Sequence, residues 1–284
     1  MNQSNEDVGT VLSCGHEVLD ELQPHYCDYL SLVIREGFTD PFRGSSVGEW
    51  REPASIDEEW FVRIHQNFEN MFEHHIRLLR IGIECLRCDT PAYAEARKRL
   101  RQVVALTKSY APLMVTLRTM DPKDFKQFRD LLVPASGMES ERFRIIELLS
   151  GVKVDTPYGK CPGGVFSFKD FLNRDPVPGE GKPKTRLWTK KLETVSQEPN
   201  LADTFRSLAD TAGYSPRDVV ERSIQPLGEI AKLLVEYEKA FLLFRARHIS
   251  VTGYQIGSKT GTGFSTGVEY LSYVRQYVRF FPFF

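Results

Sequence analysis

The chain has 284 residues, 41% of them hydrophobic, and its 37 basic and 38 acidic side chains nearly cancel. A formal charge of −1 gives no field that would draw it to nucleic acid or to an anionic membrane. There is no run of about eighteen uncharged apolar residues, so no transmembrane helix is expected, and the polar, acidic start MNQSNEDVGT has no signal-peptide character.

Elements follow in chain order. Five cysteines, at 14, 27, 85, 88 and 161, form an odd set without a disulfide framework, which suits a cytoplasmic protein. Ser55-Ile-Asp-Glu58 reads as a capping box opening a helix over 56–87, with Trp60, Phe61, Ile64, Phe68, Met71, Phe72 and Leu79 at apolar positions. Cys85 and Cys88 at its end are expected to be buried or half-buried thiols, since no second such pair accompanies them. A second helix spans about 91–120 around Leu100, Val103, Val104 and Leu113, with Pro112 able to bend it. Asp121-Pro122 restarts the chain as cap and first helical residue, and a short helix carries Phe125, Phe128 and Arg129. After Gly137, another helix takes in Phe143, Ile145, Ile146, Leu148 and Leu149.

From 151 to 186 the pattern breaks. Six glycines and five prolines predict a loop, lid or insertion there. Helices resume at Leu187 and after Ser215-Pro216, and a long one covers 227–248. The stretch QIGSKTGTGFSTG, 255–267, resembles a phosphate-binding loop, but Ser258 replaces the second glycine and a helix precedes it where a strand is needed. That reading fails. Period-2 alternation is nearly absent, so the fold class is all-α, one domain over 1–284.

Three residue types could carry chemistry. His65 shares a helix face with Phe61, Phe68 and Phe72, and His248 lies on the face of Phe241 and Phe244. Each imidazole reads either as a hydrogen-bonded core or interface residue, or as an axial haem ligand. The adjacent His74 and His75 cannot face one direction on a helix and are assigned to the surface or a partner contact. Arg129, between Phe128 and Leu131, reads either as a clamp for a carboxylate or as half of a local ion pair.

Four ordered blocks then carry a resemblance: YCDYLSL (26–32), FVRIHQNFE (61–69), LRTMDPKDFKQFRDLLVPASGMESERFRIIE (117–147) and FRARHISVTGYQIGSKTGTGFSTGVEYL (244–271). Together they resemble the tryptophan 2,3-dioxygenase superfamily, haem enzymes that oxidise aromatic amino acids. The resemblance implies an all-α haem-binding domain with haem b as cofactor and O2 as co-substrate. His248 matches the proximal iron ligand, and Gly261 and Gly263 match glycines that let backbone approach the cofactor. His65 matches the distal histidine facing the substrate ring nitrogen, and Phe61 and Phe125 match residues around the ring. Arg129 and Thr262 match the grip on the amino-acid end, and Ser136 a distal serine. Tyr26, Tyr29 and Leu30, within an N-terminal arm over 1–45, match residues that enter a neighbouring subunit's pocket, implying a homotetramer.

The implied reaction is 2,3-dioxygenation of the indole ring of L-tryptophan or a close derivative to N-formylkynurenine. Four features depart from the family pattern: Glu69-Asn-Met-Phe-Glu73 after His-Gln, Phe264 where GTGG is usual, the 151–186 segment and the C-terminal end. They bear on the ring substrate, for which the alternatives are monooxygenation of a modified tryptophan and 3-hydroxylation of tyrosine. A non-catalytic haem sensor is the alternative from another class; the match at Arg129 and Thr262 argues against it, because a sensor needs no carboxylate clamp.

Overall fold

The computed structural model describes residues 53–132, 136–161, 164–173, 188–259, 261 and 266–284. Helix α1, Ile56–Arg87, begins where the sequence places it: the Ser55 hydroxyl accepts the Glu58 N–H at 3.1 Å. The Glu58 carboxylate reaches back one residue further than the standard box and accepts from Ala54 N at 2.7 Å. Its apolar stripe, from Val62 and Phe68 through Leu79 to Leu86, is buried. Each such side chain contributes roughly 1.5–3 kcal/mol by leaving water. Trp60, expected on that stripe, is 40% exposed and takes no part in it. At the helix end Cys85 is half-buried, as expected, but Cys88 is exposed, its thiol donating to the Glu84 carbonyl.

Helix α2, Tyr93–Thr116, packs between α1 and the long helix near the C-terminus. Pro112 lies inside it, and the helix tightens into a 3₁₀ turn at Leu117–Thr119. The Asp121 side chain then accepts from Lys123 N at 2.7 Å and starts α3, Pro122–Leu132. Ser136 caps a second 3₁₀ turn, Gly137–Glu139, and Ser140 caps α4, Glu141–Ser150. Gly151 ends α4 at φ 137°, where a Cβ would sit 2.5 Å from that of Ala202 and 2.8 Å from the Phe280 carbonyl. Only glycine fits that approach.

The described part of the segment expected to be a loop or lid over 151–186 is instead built. Strands β1, Pro157–Cys161, and β2, Gly164–Ser167, form an antiparallel hairpin, and α5, Phe168–Asn173, follows. Tyr158, Phe168 and Phe171 anchor it in the core. Four aromatic residues over 158–171 offset the helix-breaking effect of the glycines and prolines, and two short strands leave too few residues for alternation to register. After α6, Lys190–Ser196, α7, Leu201–Thr211, and α8, Pro216–Glu221, comes α9, Leu227–Ile256, which runs eight residues past its expected end. Helix α10, Val268–Tyr277, and the C-terminal aromatics close the described chain. The all-α expectation holds, with the hairpin as its one sheet among the described residues. No helix there is long and apolar enough to cross a membrane.

One large hydrophobic core joins α1, α2, α4 and α9. A smaller one holds Met120, Phe125, Phe128 and Leu132, with Phe61 and Ile256 packed against it. A cavity opens between the two.

Candidate active site

The cavity, about 250 Å³, is lined mainly by apolar and aromatic side chains from α1, α3, α4, α9 and α10. His65 and His248, Phe61, Phe125, Arg129, Ser136 and Gly261 all line it. Residues from 61 to 261 of the chain thus meet in one place, although only long-range packing brings them there. Tyr26, Tyr29, Leu30, Thr262 and Gly263 lie outside the described residues.

His65 sits on the inner face of α1. Its Nδ1 lies 2.7 Å from the Phe61 carbonyl oxygen, one turn earlier. A carbonyl only accepts, so Nδ1 carries the proton and Nε2 is left with a lone pair. Burial holds the His65 pKa below its ordinary value, with the bond to Phe61 acting in the opposite direction. At neutral pH, His65 is therefore a hydrogen-bond acceptor. The Phe61 ring lies 4.1 Å from the imidazole and 5.8 Å from Phe125, so one aromatic wall adjoins the acceptor.

His248 comes from α9, its ring stacked near Phe244 at 6.1 Å and 21°. Burial pushes its pKa down to about 4, helped by the positive charges of His65 and Arg144. Its imidazole is neutral and has a lone pair to give. Among the described residues no group of three or more His, Cys, Asp or Glu could cage a bare metal ion. One imidazole lone pair from α9 in an aromatic cavity fits a metal whose other donors come from a macrocycle, which is what a haem iron requires.

Arg129 lies in the last turn of α3 with its side chain 19% exposed and 3.7 Å from Asp130, whose own side chain is 90% exposed. A pair so exposed contributes little. Ser136 Oγ accepts from Met138 N at 3.3 Å, so its cap role keeps its hydroxyl at the cavity wall.

Several features escape the sequence reading. His75, assigned to the surface or a partner contact, is fully buried: its Nδ1 lies 2.8 Å from the Tyr110 hydroxyl. The signal was present, since His75 follows Phe72 by three and Phe68 by seven on the apolar face. Burial drives its pKa down to about 3, with His74 adding a smaller push. Gln255 was passed over as part of a glycine-rich loop; it is the last buried residue of α9, donating to the Leu117 and Met120 carbonyls at 3.1 and 3.0 Å. Arg144, Glu147, Tyr158 and Arg245 form a buried cluster beside the cavity.

Comparison with known proteins bears on this site. The family described as tryptophan 2,3-dioxygenase matches residues 15–208, which include His65, Arg129 and Ser136 but not His248. A tryptophan 2,3-dioxygenase of Nocardioides sp. is 28% identical over 253 residues, covering 81% of this chain and 84% of that protein. Those of Sorangium cellulosum and Serratia proteamaculans are 24% and 27% identical, covering 87% and 81% of this chain and 78% and 82% of theirs.

Proposed function

Since the chain belongs to the tryptophan 2,3-dioxygenase family, we propose that it is a cytoplasmic oxidoreductase that uses O2 to cleave the indole ring of L-tryptophan, or of a close derivative, to N-formylkynurenine. The observation that carries the reading is the shared cavity. It sets the acceptor His65 beside the aromatic wall of Phe61 and Phe125, with Arg129 on α3 and neutral His248 on α9.

His248 is the residue that would hold haem b, through the imidazole lone pair that burial preserves. Bound there, haem supplies the iron that binds and activates O2. The remaining work falls to side chains. Arg129 offers a planar fork to the substrate carboxylate. Phe61 and Phe125 bury the indole rings and exclude water. His65 Nε2 accepts from the indole N–H, which fixes the ring edge and can take up charge that develops on that nitrogen. Fixing both ends of the substrate holds the C2–C3 bond in a reactive position, a proximity effect. By the same resemblance, Thr262 adds a hydroxyl at the amino-acid end, Gly261 and Gly263 admit the cofactor, and Tyr26, Tyr29 and Leu30 serve a neighbouring subunit in a homotetramer.

The test is product identity. Reduced, haem-loaded protein is given O2 with L-tryptophan, methylated tryptophans or tyrosine, and the products are weighed by mass spectrometry. Tryptophan should gain both oxygen atoms. A single-oxygen product, or turnover of tyrosine alone, refutes the reading.

A further inference from the structure

A zwitterionic substrate brings two charges into the cavity, and Arg129 answers only the carboxylate. The α-ammonium group has three N–H donors and no acceptor of its own, so burying it requires a lone pair from the wall. Among the described residues that line the cavity there is no aspartate or glutamate. The acceptor has to be neutral. His65 Nε2 takes the indole N–H in the reading above, and the Ser136 and Ser140 hydroxyls already accept from Met138 N and Phe143 N in their caps.

Gln255 on α9 leaves an oxygen open. Its side chain lines the cavity, and the residue is only 6% exposed. The amide orientation is fixed by its partners: the Leu117 and Met120 carbonyls only accept, so the nitrogen faces them, at 3.1 and 3.0 Å. Both amide protons are thereby used. Oε1, on the other side of the amide, is buried and has no hydrogen-bond partner among the described residues. The two bonds at Nε2 polarise the amide and make Oε1 a better acceptor. A buried carbonyl oxygen with no donor is rare in a folded protein, and here a cavity adjoins it.

Its position matches the end of the cavity assigned to the amino-acid part of the substrate. Gln255 follows His248 by seven, on the same face of α9 and about 10 Å further along it. Met120, to which it is bonded, stands two residues before α3 begins, and α3 carries Arg129 in its last turn. Ile256, beside it, packs against the small core of Met120, Phe125, Phe128 and Leu132. Gly261, six residues on, also lines the cavity and leads directly to Thr262.

We propose that Gln255 Oε1 accepts a hydrogen bond from the α-ammonium group of the substrate, so that Arg129 and Gln255 read the two charges of the zwitterion. The inference rests on the substrate reading. It restricts the substrate to free α-amino acids and disfavours indole acids that lack the amine.

The test measures binding, not turnover. Haem-loaded ferric protein is titrated calorimetrically with L-tryptophan and with indole-3-propionate, which keeps the ring and the carboxylate but has no amine. Wild type should bind tryptophan more tightly. In Gln255→Met, similar in volume but without the amide, that preference should fall about ten- to a hundred-and-fiftyfold, the range for a hydrogen bond to a charged group. Loss of the bonds to Leu117 and Met120 affects both ligands alike and leaves the ratio unchanged, and urea melts check that the variant folds. Gln255→Lys, which keeps a donor for the two carbonyls, should lose the preference as well and serves if the methionine variant does not fold. Equal affinities in wild type, or the wild-type ratio retained in either folded variant, overturn the proposal. If wild type binds neither ligand, the substrate reading itself fails, and this proposal with it.

Discussion

Replacing Arg129 by lysine separates the substrate from the cofactor. The charge is kept, but the planar fork that grips a carboxylate through two parallel bonds is lost. Truncating a fully desolvated charge pair costs about 2–5 kcal/mol. Arg129 is 19% exposed in its side chain, so partial screening places the loss at the low end, about 2–3 kcal/mol, or roughly thirty- to a hundred-and-fiftyfold in kcat/KM. Steady-state kinetics should compare L-tryptophan with tryptamine, which has the same ring and no carboxylate. Wild type should strongly prefer the acid, and Arg129→Lys should lose most of that preference with an unchanged haem spectrum. If wild type turns over both equally well, Arg129 is a structural ion-pair residue and the substrate orientation is wrong.

His248→Ala should abolish or greatly weaken the Soret band, because the iron loses its protein nitrogen; a variant with full haem and an unaltered spectrum removes His248 as the ligand. His65→Phe should lower kcat/KM for tryptophan about tenfold or more by removing the acceptor, yet spare 1-methyltryptophan, which has no N–H to give; equal losses on both substrates would point to a packing effect. Because burial lowers the His65 pKa, Nε2 stays unprotonated at neutral pH, so wild-type kcat/KM should be flat from pH 8 down past the ordinary imidazole value and fall only in more acid solution, whereas a decline centred near 6.5 would contradict the assignment. His75 contributes to stability in the same direction. Its folded pKa, about 3, lies below the unfolded value of 6.5, so the unfolded state takes up the proton first and stability is lost as pH falls between them. His75→Asn, which keeps a polar partner for Tyr110, should flatten the slope of unfolding free energy across that window by close to 1.4 kcal/mol per pH unit; an unaltered slope in urea melts would show that His75 does not titrate there.

The helices were legible because their signals are local. Ser55, Asp121 and Ser215 announce starts, and the spacing of Ile64, Phe68, Phe72 and Leu79 describes a buried face without reference to anything else. The hairpin was not legible, because Tyr158 and Phe171 acquire meaning only once the core they fill exists. His65, Arg129 and His248 could be named from motif order, while their convergence depends on the packing of α1, α3 and α9. His75 shows the opposite failure: its position on the apolar face was readable, but adjacency to His74 drew attention to the pair. The Arg144–Glu147 spacing of three was visible within ERFRIIE, yet nothing in the sequence says that Arg245, ninety-eight residues later, joins the same carboxylate.

The central claim is that a cavity built on His65, Arg129 and His248 directs both atoms of one O2 molecule into tryptophan. Reduced, haem-loaded wild type turning over L-tryptophan under isotopically heavy O2 tests it in a single mass spectrum. The account predicts N-formylkynurenine with both added oxygens labelled, and the same label pattern at lower yield from Arg129→Lys. A product with one labelled oxygen and an intact ring, or no label at all, would contradict it.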